Sequence, residues 1–459
     1  MEQLGSTKKL YRAGSLIYTS AGLITLFCFL LGGDFAWALK DRAIGPASIL
    51  LFKKFCNSDL LYSLILIAFP NFTNIFLCPI ISYISDRHRG KLGRRIPFLI
   101  FTTPFVVAGA WGLGFTPMLG KLLFELCGGA LSINTASMII FGIFWVILDF
   151  GTTLAGSLSG ALVNDVVPKE MLGRFFGMFR AISLLAGMIF NYYLMGMVET
   201  YFFYIFLGIG AVYGAGLLIL CTKVKEGEYP PPPQEENCGK GQMLATLVSA
   251  TKTYMRQSFA NPYYRMVIFV LTLSILTSTP FNMFSILYAK ELDVSMALFG
   301  KINAVTYLIS FGLSFLLGFI ADKFHPLRAT VAAQALYLTS MVLGLCFVND
   351  AQSFVIVLFI HNVLSGCCFT VEASLAQRLF PTGLFAQFNS AFAMVQAIAR
   401  ILLGIAIGAL LEHFSKQYHI VFIVGIAVTA GAVAGLWMVY RKFIAYGGDD
   451  GYTPPDPGK

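Results

Sequence analysis

The chain has 459 residues, of which 57% are hydrophobic and only 12% are charged. A soluble domain carries roughly 25% charged residues, and the mean hydropathy here is +0.75. This composition excludes a water-soluble globular protein, because such a surface is not stable in water. The formal net charge of +9 is also typical of nucleic-acid-binding proteins. The positions of the basic residues along the chain distinguish nucleic-acid binding from membrane topology as the reason for this charge.

Apolar segments of about 18 to 25 residues recur along the whole chain, and each is long enough to cross roughly 30 Å of hydrocarbon. We predict twelve of them, centred near residues 28, 70, 107, 148, 185, 210, 278, 310, 338, 364, 398 and 431. Lys8 and Lys9 precede the first segment, but no small-residue cleavage site closes it, so we expect a retained helix and not a signal peptide. The pattern predicts an all-α polytopic membrane protein.

The basic residues are distributed unevenly between alternate loops. If both termini are cytoplasmic, most Lys and Arg residues fall in the inside loops, as the positive-inside rule requires. We therefore expect an integral protein of the plasma or bacterial inner membrane, with the bilayer as a partner and no nucleic acid. The nine cysteines lack metal-type spacing, so no metal or cofactor is expected, and no enzyme motif is evident.

One long polar segment interrupts the apolar pattern and divides the twelve predicted helices six and six. Residues 223–264 include Pro230 to Pro233, a composition that favours extended polyproline II structure, and they are predicted to form a cytoplasmic linker. Residues 1–222 and 265–446 are then predicted to form two six-helix bundles. The last residues, 447–459, are rich in Gly, Pro and Asp and are predicted to be a disordered tail.

A similar polar loop follows the second helix of each half, which predicts an internal repeat. In each loop an acidic residue at a helix end precedes basic residues, and such groups can form ion pairs that break when two bundles rock apart. We assign a cytoplasmic gating role to Asp86, Arg87, Gly93, Arg94 and Arg95 in the first loop, to Asp165 after the fourth helix, and to Asp322 and Arg328 in the second loop.

The first loop also carries a family resemblance. Ser85 to Phe98 is similar to the corresponding loop of the major facilitator superfamily, and its Gly-Arg-Arg-x-Pro-Phe ending resembles the sucrose transporters of the glycoside-pentoside-hexuronide:cation symporter family. The spacing between Asp149 and Asp165 is similar to that of two aspartates in the fourth helix of sucrose carriers. The resemblance covers essentially all twelve helices and implies the major facilitator fold and a monomeric sugar carrier.

Ionisable side chains inside a membrane helix cost several kcal/mol, so each one is a candidate functional residue. Within the predicted helices these are Asp34, Asp149, Arg180, His361, Glu372 and Arg400. Trp37 and Asp41 lie three and seven residues after Asp34 and therefore share its helix face. A carboxylate beside an aromatic ring can hold a sugar; the alternative is that Asp34 is buried against an arginine for structural reasons. Lys40, Asp41 and Arg42 are expected at the outer end of the first helix, where they either admit a charged substrate or anchor the helix at the interface.

Three of these positions resemble the sugar site of the melibiose carriers in the same family. Gly33 to Ala36 is similar to their first-helix motif, and Asp149 and Arg180 are similar to a fourth-helix aspartate and a fifth-helix arginine. The resemblance implies that Asp34, Asp149 and Arg180 bind the sugar. The alternative is that Asp149 and Arg180 form a purely structural ion pair.

The sequence departs from these relatives at the cation site. Where the melibiose carriers place two carboxylates on the second helix, this chain has Asn74 and Cys78, and Arg400 falls near the position of a lysine in helix eleven. Sodium prefers charged oxygen ligands, so sodium coupling is not expected. Gly160 stands near the position of an arginine in sucrose carriers, so sucrose itself is not implied.

A polar stripe on the tenth predicted helix is the remaining candidate. His361, Ser365, Cys368 and Glu372 recur at helical spacing, and histidine titrates near neutral pH. The stripe either relays protons or is structural, with Glu372 paired to Arg378. Asp34, Asp149, His361 and Glu372 are therefore the candidates for proton coupling.

The expected function is secondary active transport of a sugar or glycoside, driven by protons, through alternating access. An uncoupled sugar facilitator would use the same site. A lysolipid transporter would need a long apolar groove that opens to the bilayer, and a non-transporting sensor would normally add a cytoplasmic domain.

Overall fold

The computed structural model describes residues 10–229, 258–381 and 384–455, without the side chains of residues 315, 322, 386 and 450. In these ranges twelve helices are long and apolar enough to cross a membrane, which confirms the predicted all-α membrane architecture. A small antiparallel hairpin, β1 (Tyr11–Ala13) and β2 (Leu16–Tyr18), precedes them. Its turn contains Gly14 at φ +58°, a conformation that favours glycine.

The helices are α1 (Ser20–Phe55), α2 (Asp59–Arg87), α3 (Ile96–Leu126), α4 (Ile133–Val166), α5 (Lys169–Met197), α6 (Phe202–Lys223), α7 (Pro262–Glu291), α8 (Met296–Phe324), α9 (Pro326–Phe347), α10 (Ala351–Leu379), α11 (Phe385–His413), α12 (Ile420–Ala445) and the short α13 (Gly448–Gly451). Two of them contain a π-helical turn, Ser63–Ala68 in α2 and Phe190–Leu194 in α5. Such turns often mark functional regions of a helix.

The chain divides into two compact units, one of Met1–Asn57 with Thr73–Pro233 and the other of Ser58–Phe72 with Gln234–Lys459. The start of α2 therefore belongs to the second unit. The boundaries predicted from the sequence for the two bundles stay a prediction. Residues Pro230 to Pro233 of the predicted linker lie outside the described part of the chain.

In the first unit, small residues bring α3 and α4 into close contact. A Cβ atom on Gly109 would lie 2.6 Å from the Leu148 backbone, and one on Gly112 would lie 1.9 Å from the Phe144 ring. Only glycine permits this backbone approach, which is typical of helix packing in membranes. This contact fixes the rotation of α4 about its axis. It therefore also fixes the direction in which Asp149, the residue after Leu148, points.

The second unit holds the start of α2 against α11 and against Tyr418, which precedes α12. Asp59 is fully buried and accepts a hydrogen bond from the Tyr418 hydroxyl at 3.2 Å. A Cβ atom on Gly408 would lie 2.4 Å from Oγ of Ser63, so glycine is needed where the two helices touch. These contacts explain why Ser58–Phe72 clusters with this unit.

The described part of the tail, residues 447–455, makes contacts with the second unit, and its predicted disorder stays a prediction. The Tyr452 hydroxyl donates to the Leu379 carbonyl at 3.0 Å, and its ring lies 5.0 Å from that of Phe443. The Tyr264 hydroxyl donates to the Pro455 carbonyl at 2.6 Å.

Large apolar side chains are exposed along the outer faces of the helices. On α9, Leu336, Leu343 and Phe347 are 59%, 47% and 63% exposed, and their spacing of seven and four residues places them on one face. A face of this kind is stable against lipid and not against water. The fold is that of an integral membrane protein.

Candidate functional site

Asp34 lies on α1 at the wall of a cavity of about 440 Å³. We call this the polar cavity; it is lined by Asp34, Trp37, Ala38, Asp41, Arg42, Phe179 and Ser183. Its volume falls in the range of roughly 300 to 1,000 Å³ that is usual for ligand sites. Asp34 is only 8% exposed, and its Oδ2 atom is buried without a hydrogen-bond partner among the described residues. A buried carboxylate oxygen without a donor is costly, so the Asp34 carboxylate at the cavity wall has an acceptor that is not used.

Lys40 is not at the outer end of the first helix, as the sequence suggested, but in its interior. The helix continues to Phe55 because the chain after Arg42 becomes apolar again and accommodates Pro46 without ending. Lys40 is 2% exposed, its Nζ lies 2.5 Å from Oδ1 of Asp41, and the same atom lies 4.1 Å from the centre of the Trp37 ring. From the sequence, Lys40 was expected either to admit a charged substrate or to anchor the helix at the interface. In the structure this buried cation fixes two side chains of the polar cavity.

Asp149 lies on α4 in the same unit and is 8% exposed. It accepts a hydrogen bond from the Thr73 hydroxyl of α2 at 2.5 Å, and the positive charge of Lys40 acts on it. Neither partner was predicted from the sequence. Arg180 directly follows Phe179 of the polar cavity and its side chain is exposed. The suggested pairing of Arg180 with Asp149 stays a prediction.

The second-helix positions that match the relatives' cation site are engaged with each other. The Cys78 thiol contacts Oδ1 of Asn74 at 2.8 Å and the Thr153 carbonyl at 3.7 Å. Arg400 lies on α11, in the other unit, so its predicted proximity to this pair stays a prediction.

The polar stripe of α10 faces α7 and α9. His361 is fully buried; its Nδ1 lies 2.9 Å from the Tyr337 hydroxyl and its Nε2 lies 2.9 Å from Oδ1 of Asn282. Because the amide oxygen only accepts, Nε2 is the donor in this contact, whereas the Tyr337 hydroxyl can donate to Nδ1 or accept from it.

Glu372 is the second member of the stripe with partners on the same two helices. Its Oε1 accepts hydrogen bonds from the Ser274 hydroxyl and, at 2.6 Å, from Nε2 of Gln334. Sequence reasoning considered Arg378 as its partner and missed these two groups, which carry no charge and so gave no signal.

At the end of the first unit that holds the loop between α2 and α3, four of the predicted gating residues meet. Arg94 donates to both oxygens of Asp165 at 3.0 and 2.6 Å, and Nε of Arg95 donates to the same carboxylate at 3.2 Å. Arg95 also pairs with Asp86. The hydrogen bonds from Arg94 to Asp165 raise the pKa of that guanidinium. All of these contacts lie within one unit and join α2, α3 and α4, so their gating role stays a prediction.

Glu226, which follows α6, completes this end of the unit and was not predicted. Its carboxylate accepts the backbone N–H groups of Arg94, Arg95 and Ile96 at 2.9, 2.8 and 2.7 Å. These are unsatisfied donors at the start of α3, where the helix dipole also favours a negative charge. Gly93 has φ +99°, and a Cβ there would lie 2.5 Å from the Glu226 carboxyl.

The Tyr229 hydroxyl holds the Glu226 carboxylate from the other side. It donates to Oε2 of Glu226 at 2.8 Å, and burial together with this contact raises the pKa of Tyr229. We call Glu226 with its three backbone donors the α3 clamp.

The second unit has a corresponding arrangement at the start of α9. Arg328 pairs with Asp449, which follows α12, at 2.9 Å and also contacts the Tyr440 hydroxyl at 2.9 Å. In each half, therefore, a residue beyond the sixth helix holds the start of the third. The side chain of Asp322 lies outside the described residues, and Arg87 stacks on Tyr83 at 3.6 Å.

In the described part of the chain, twelve helices are long and apolar enough to cross a membrane, and the first unit contains a cavity lined by charged side chains of α1. These features together are typical of a polytopic membrane transporter. The chain belongs to the major facilitator superfamily, whose family model matches residues 24–404 and, in a second match, 267–450. The comparison with curated proteins found no match.

Solved structures of transporters share the fold. The inward-open xylose transporter XylE from E. coli is 15% identical, with a TM-score of 0.62 over 91% of this chain and 95% of that chain. The nucleoside transporter NupG is 12% identical, with a TM-score of 0.59 over 91% and 98%. A POT family transporter in complex with 5-aminolevulinic acid is 15% identical, with a TM-score of 0.63 over 93% and 96%.

Proposed function

We propose that this transporter carries a sugar or glycoside by proton-coupled symport and belongs to the glycoside-pentoside-hexuronide:cation branch of its superfamily. The observation that carries the proposal is the Asp34 carboxylate, which lines the polar cavity beside Trp37 and whose buried Oδ2 atom lacks a donor within the part of the chain that the structure describes. Sugar hydroxyls supply the missing donors, and the apolar face of a sugar ring packs on the indole. The loop from Gly93 to Phe98 supports the choice of family.

The surrounding charges are arranged to select and orient the substrate. Lys40 holds the Trp37 ring and the Asp41 carboxylate in place, so the cavity is formed before the substrate enters. Pre-formed sites bind more tightly because less side-chain ordering accompanies binding. Asp149 and Arg180 complete the proposed sugar site from α4 and α5.

The proposed coupling ion is H⁺. Asn74 and Cys78 contact each other and offer an amide oxygen and a thiol, a poor ligand set for sodium. The carboxylates Asp34 and Asp149 are buried in the span, where a proton neutralises the charge that would otherwise be costly at this depth.

Binding to the purified protein tests the site. A hydrogen bond to a charged group contributes about 1.5 to 3 kcal/mol, so Asp34→Asn should weaken sugar binding by about 10- to 150-fold. Asp293→Asn is the matched control, because this exposed residue in the loop before α8 has φ +54°, which asparagine tolerates. Unchanged binding by the Asp34 variant would remove the basis of the proposal.

Uptake into proteoliposomes tests the coupling ion. We expect uptake to be indifferent to replacement of Na⁺ by K⁺ or choline, to accelerate when the outside is acidified, and to lose that acceleration in Asp149→Asn. Exchange of labelled for unlabelled substrate should be less affected than concentrative uptake, because exchange needs no net proton movement. Sodium-dependent uptake at constant pH and membrane potential would refute proton coupling, and pH-independent uptake would indicate a facilitator.

A further inference from the structure

A second cavity of about 210 Å³ lies behind the polar cavity in the first unit. We call it the apolar cavity. It shares Asp34, Trp37 and Phe179 with the polar cavity. The two spaces are therefore separated by the same side chains that form the proposed sugar site.

The apolar cavity exists because α4 presents very small residues to it. Gly156, Ser159 and Gly160 form this wall. A Cβ atom on Gly160 would meet nothing within 4 Å, and one on Gly156 would lie 3.6 Å from the Trp37 ring, an ordinary contact. Glycine at these positions is thus not required by close helix packing, in contrast to Gly109, and its effect is to leave space.

The other walls of the apolar cavity are hydrocarbon. They include Leu30, Leu99, Leu220, Phe175 and Phe176. Among the described residues that line it, Asp34 is the one with a charge, and it lies at the side shared with the polar cavity. An apolar cavity of about 150 Å³ stays dry and binds benzene. A volume of about 210 Å³ therefore accommodates one aromatic ring and a few further atoms.

We propose that the apolar cavity binds an apolar substituent, such as a phenyl or short alkyl group, attached to the sugar held in the polar cavity. The substrate is then a glycoside with an apolar aglycone and not a free sugar. The inference rests on the proposed function and narrows its substrate class. Two features join the sites: the shared walls, and the Asp34 carboxylate, which lines both cavities, has an oxygen without a donor among the residues described and is the proposed acceptor for the sugar hydroxyls.

The test compares glycosides that differ only in the aglycone. Binding of the free sugar and of its methyl, butyl and phenyl glycosides to the full-length protein in nanodiscs is measured by calorimetry for the glucose, galactose and xylose series. One methylene in an apolar pocket changes binding by about 10- to 200-fold. We expect the phenyl glycoside of the preferred sugar to bind at least about 10-fold more tightly than its methyl glycoside.

A side chain that fills the apolar cavity distinguishes the role of this cavity from that of the sugar site. Gly160→Leu should abolish the preference for the phenyl glycoside and leave the affinity for the methyl glycoside within about twofold. Gly142→Leu on the same helix is the matched control, because a Cβ there also meets nothing within 4 Å and the residue lines neither cavity. Gly160→Ala, which adds a single methyl group, gives a smaller change in the same direction if the leucine variant does not fold.

The possible outcomes distinguish this inference from the proposed function. If no sugar or glycoside binds the wild-type protein, the proposed function fails and this inference fails with it. If free sugar and phenyl glycoside bind equally, or if Gly160→Leu retains the phenyl preference, only the aglycone site is refuted. A lipid chain retained in the cavity by the wild type and lost in Gly160→Leu, without any effect on glycosides, also refutes it.

Discussion

The α3 clamp leads to a quantitative prediction. Replacing Glu226 with Gln removes the charge that three backbone N–H groups share and leaves a single acceptor oxygen. Hydrogen bonds to a charged group contribute about 1.5 to 3 kcal/mol, against 0.5 to 1.5 for neutral pairs. Because Glu226 is half-buried, water compensates for part of this loss. We expect Glu226→Gln to destabilise the first turn of α3 by about 2 kcal/mol.

Hydrogen exchange reports on these amides directly. A loss of about 2 kcal/mol corresponds to roughly 30-fold faster exchange, measured by mass spectrometry on peptides that contain Arg94 to Ile96. Glu228→Gln is the matched control, because the Glu228 side chain is exposed and its backbone N–H donates to Oγ of Ser15 instead. Equal protection in wild type and Glu226→Gln, or equal loss in both variants, would refute the clamp.

Three further predictions concern single side chains. Asp165→Asn should lower the free energy of unfolding by about 3 kcal/mol, because Asp165 is 13% exposed and neutralises two arginines. Asp86→Asn should lower it by less than about 1 kcal/mol, because Asp86 is half-exposed; equal effects of the two variants in denaturant titrations would contradict this. Burial lowers the pKa of His325, so its contribution to stability is complete above about pH 6.5 and is lost as the pH falls; unfolding midpoints at pH 7.5 and 5.5 should differ less in His325→Asn than in wild type. Lys40→Met should weaken sugar binding by about 10-fold through loss of the charge that holds Trp37, while membrane insertion, checked by gel filtration, stays normal.

The twelve helices were predictable from the sequence because a membrane helix must be a long apolar run, and that signal is local. The shared face of Asp34, Trp37 and Asp41 was predictable for a similar reason, since helical periodicity places residues three and seven apart together. The ion-pairing loop with Asp86, Arg94 and Arg95 was predictable from its acidic and basic residues alone.

The environment of each charge depended on the tertiary structure. Lys40 lies inside α1 because the helix tolerates Pro46 and continues to Phe55, an outcome that a charged run in the sequence does not indicate. Periodicity predicted one stripe on α10 but not that it faces α7 and α9, because the period of a helix does not identify its neighbours.

The α3 clamp and the apolar cavity were also not predictable from the sequence. Glu226 reaches the start of α3 from about 130 residues further along the chain, and such a contact leaves no local pattern. The sequence marked Gly160 only as the residue near the position of an arginine in sucrose carriers, and the packing of α1, α4 and α5 around it shows that its missing side chain leaves a space. Helix formation is decided by neighbours in sequence, whereas a cavity or a carboxylate's partner is decided by neighbours in space.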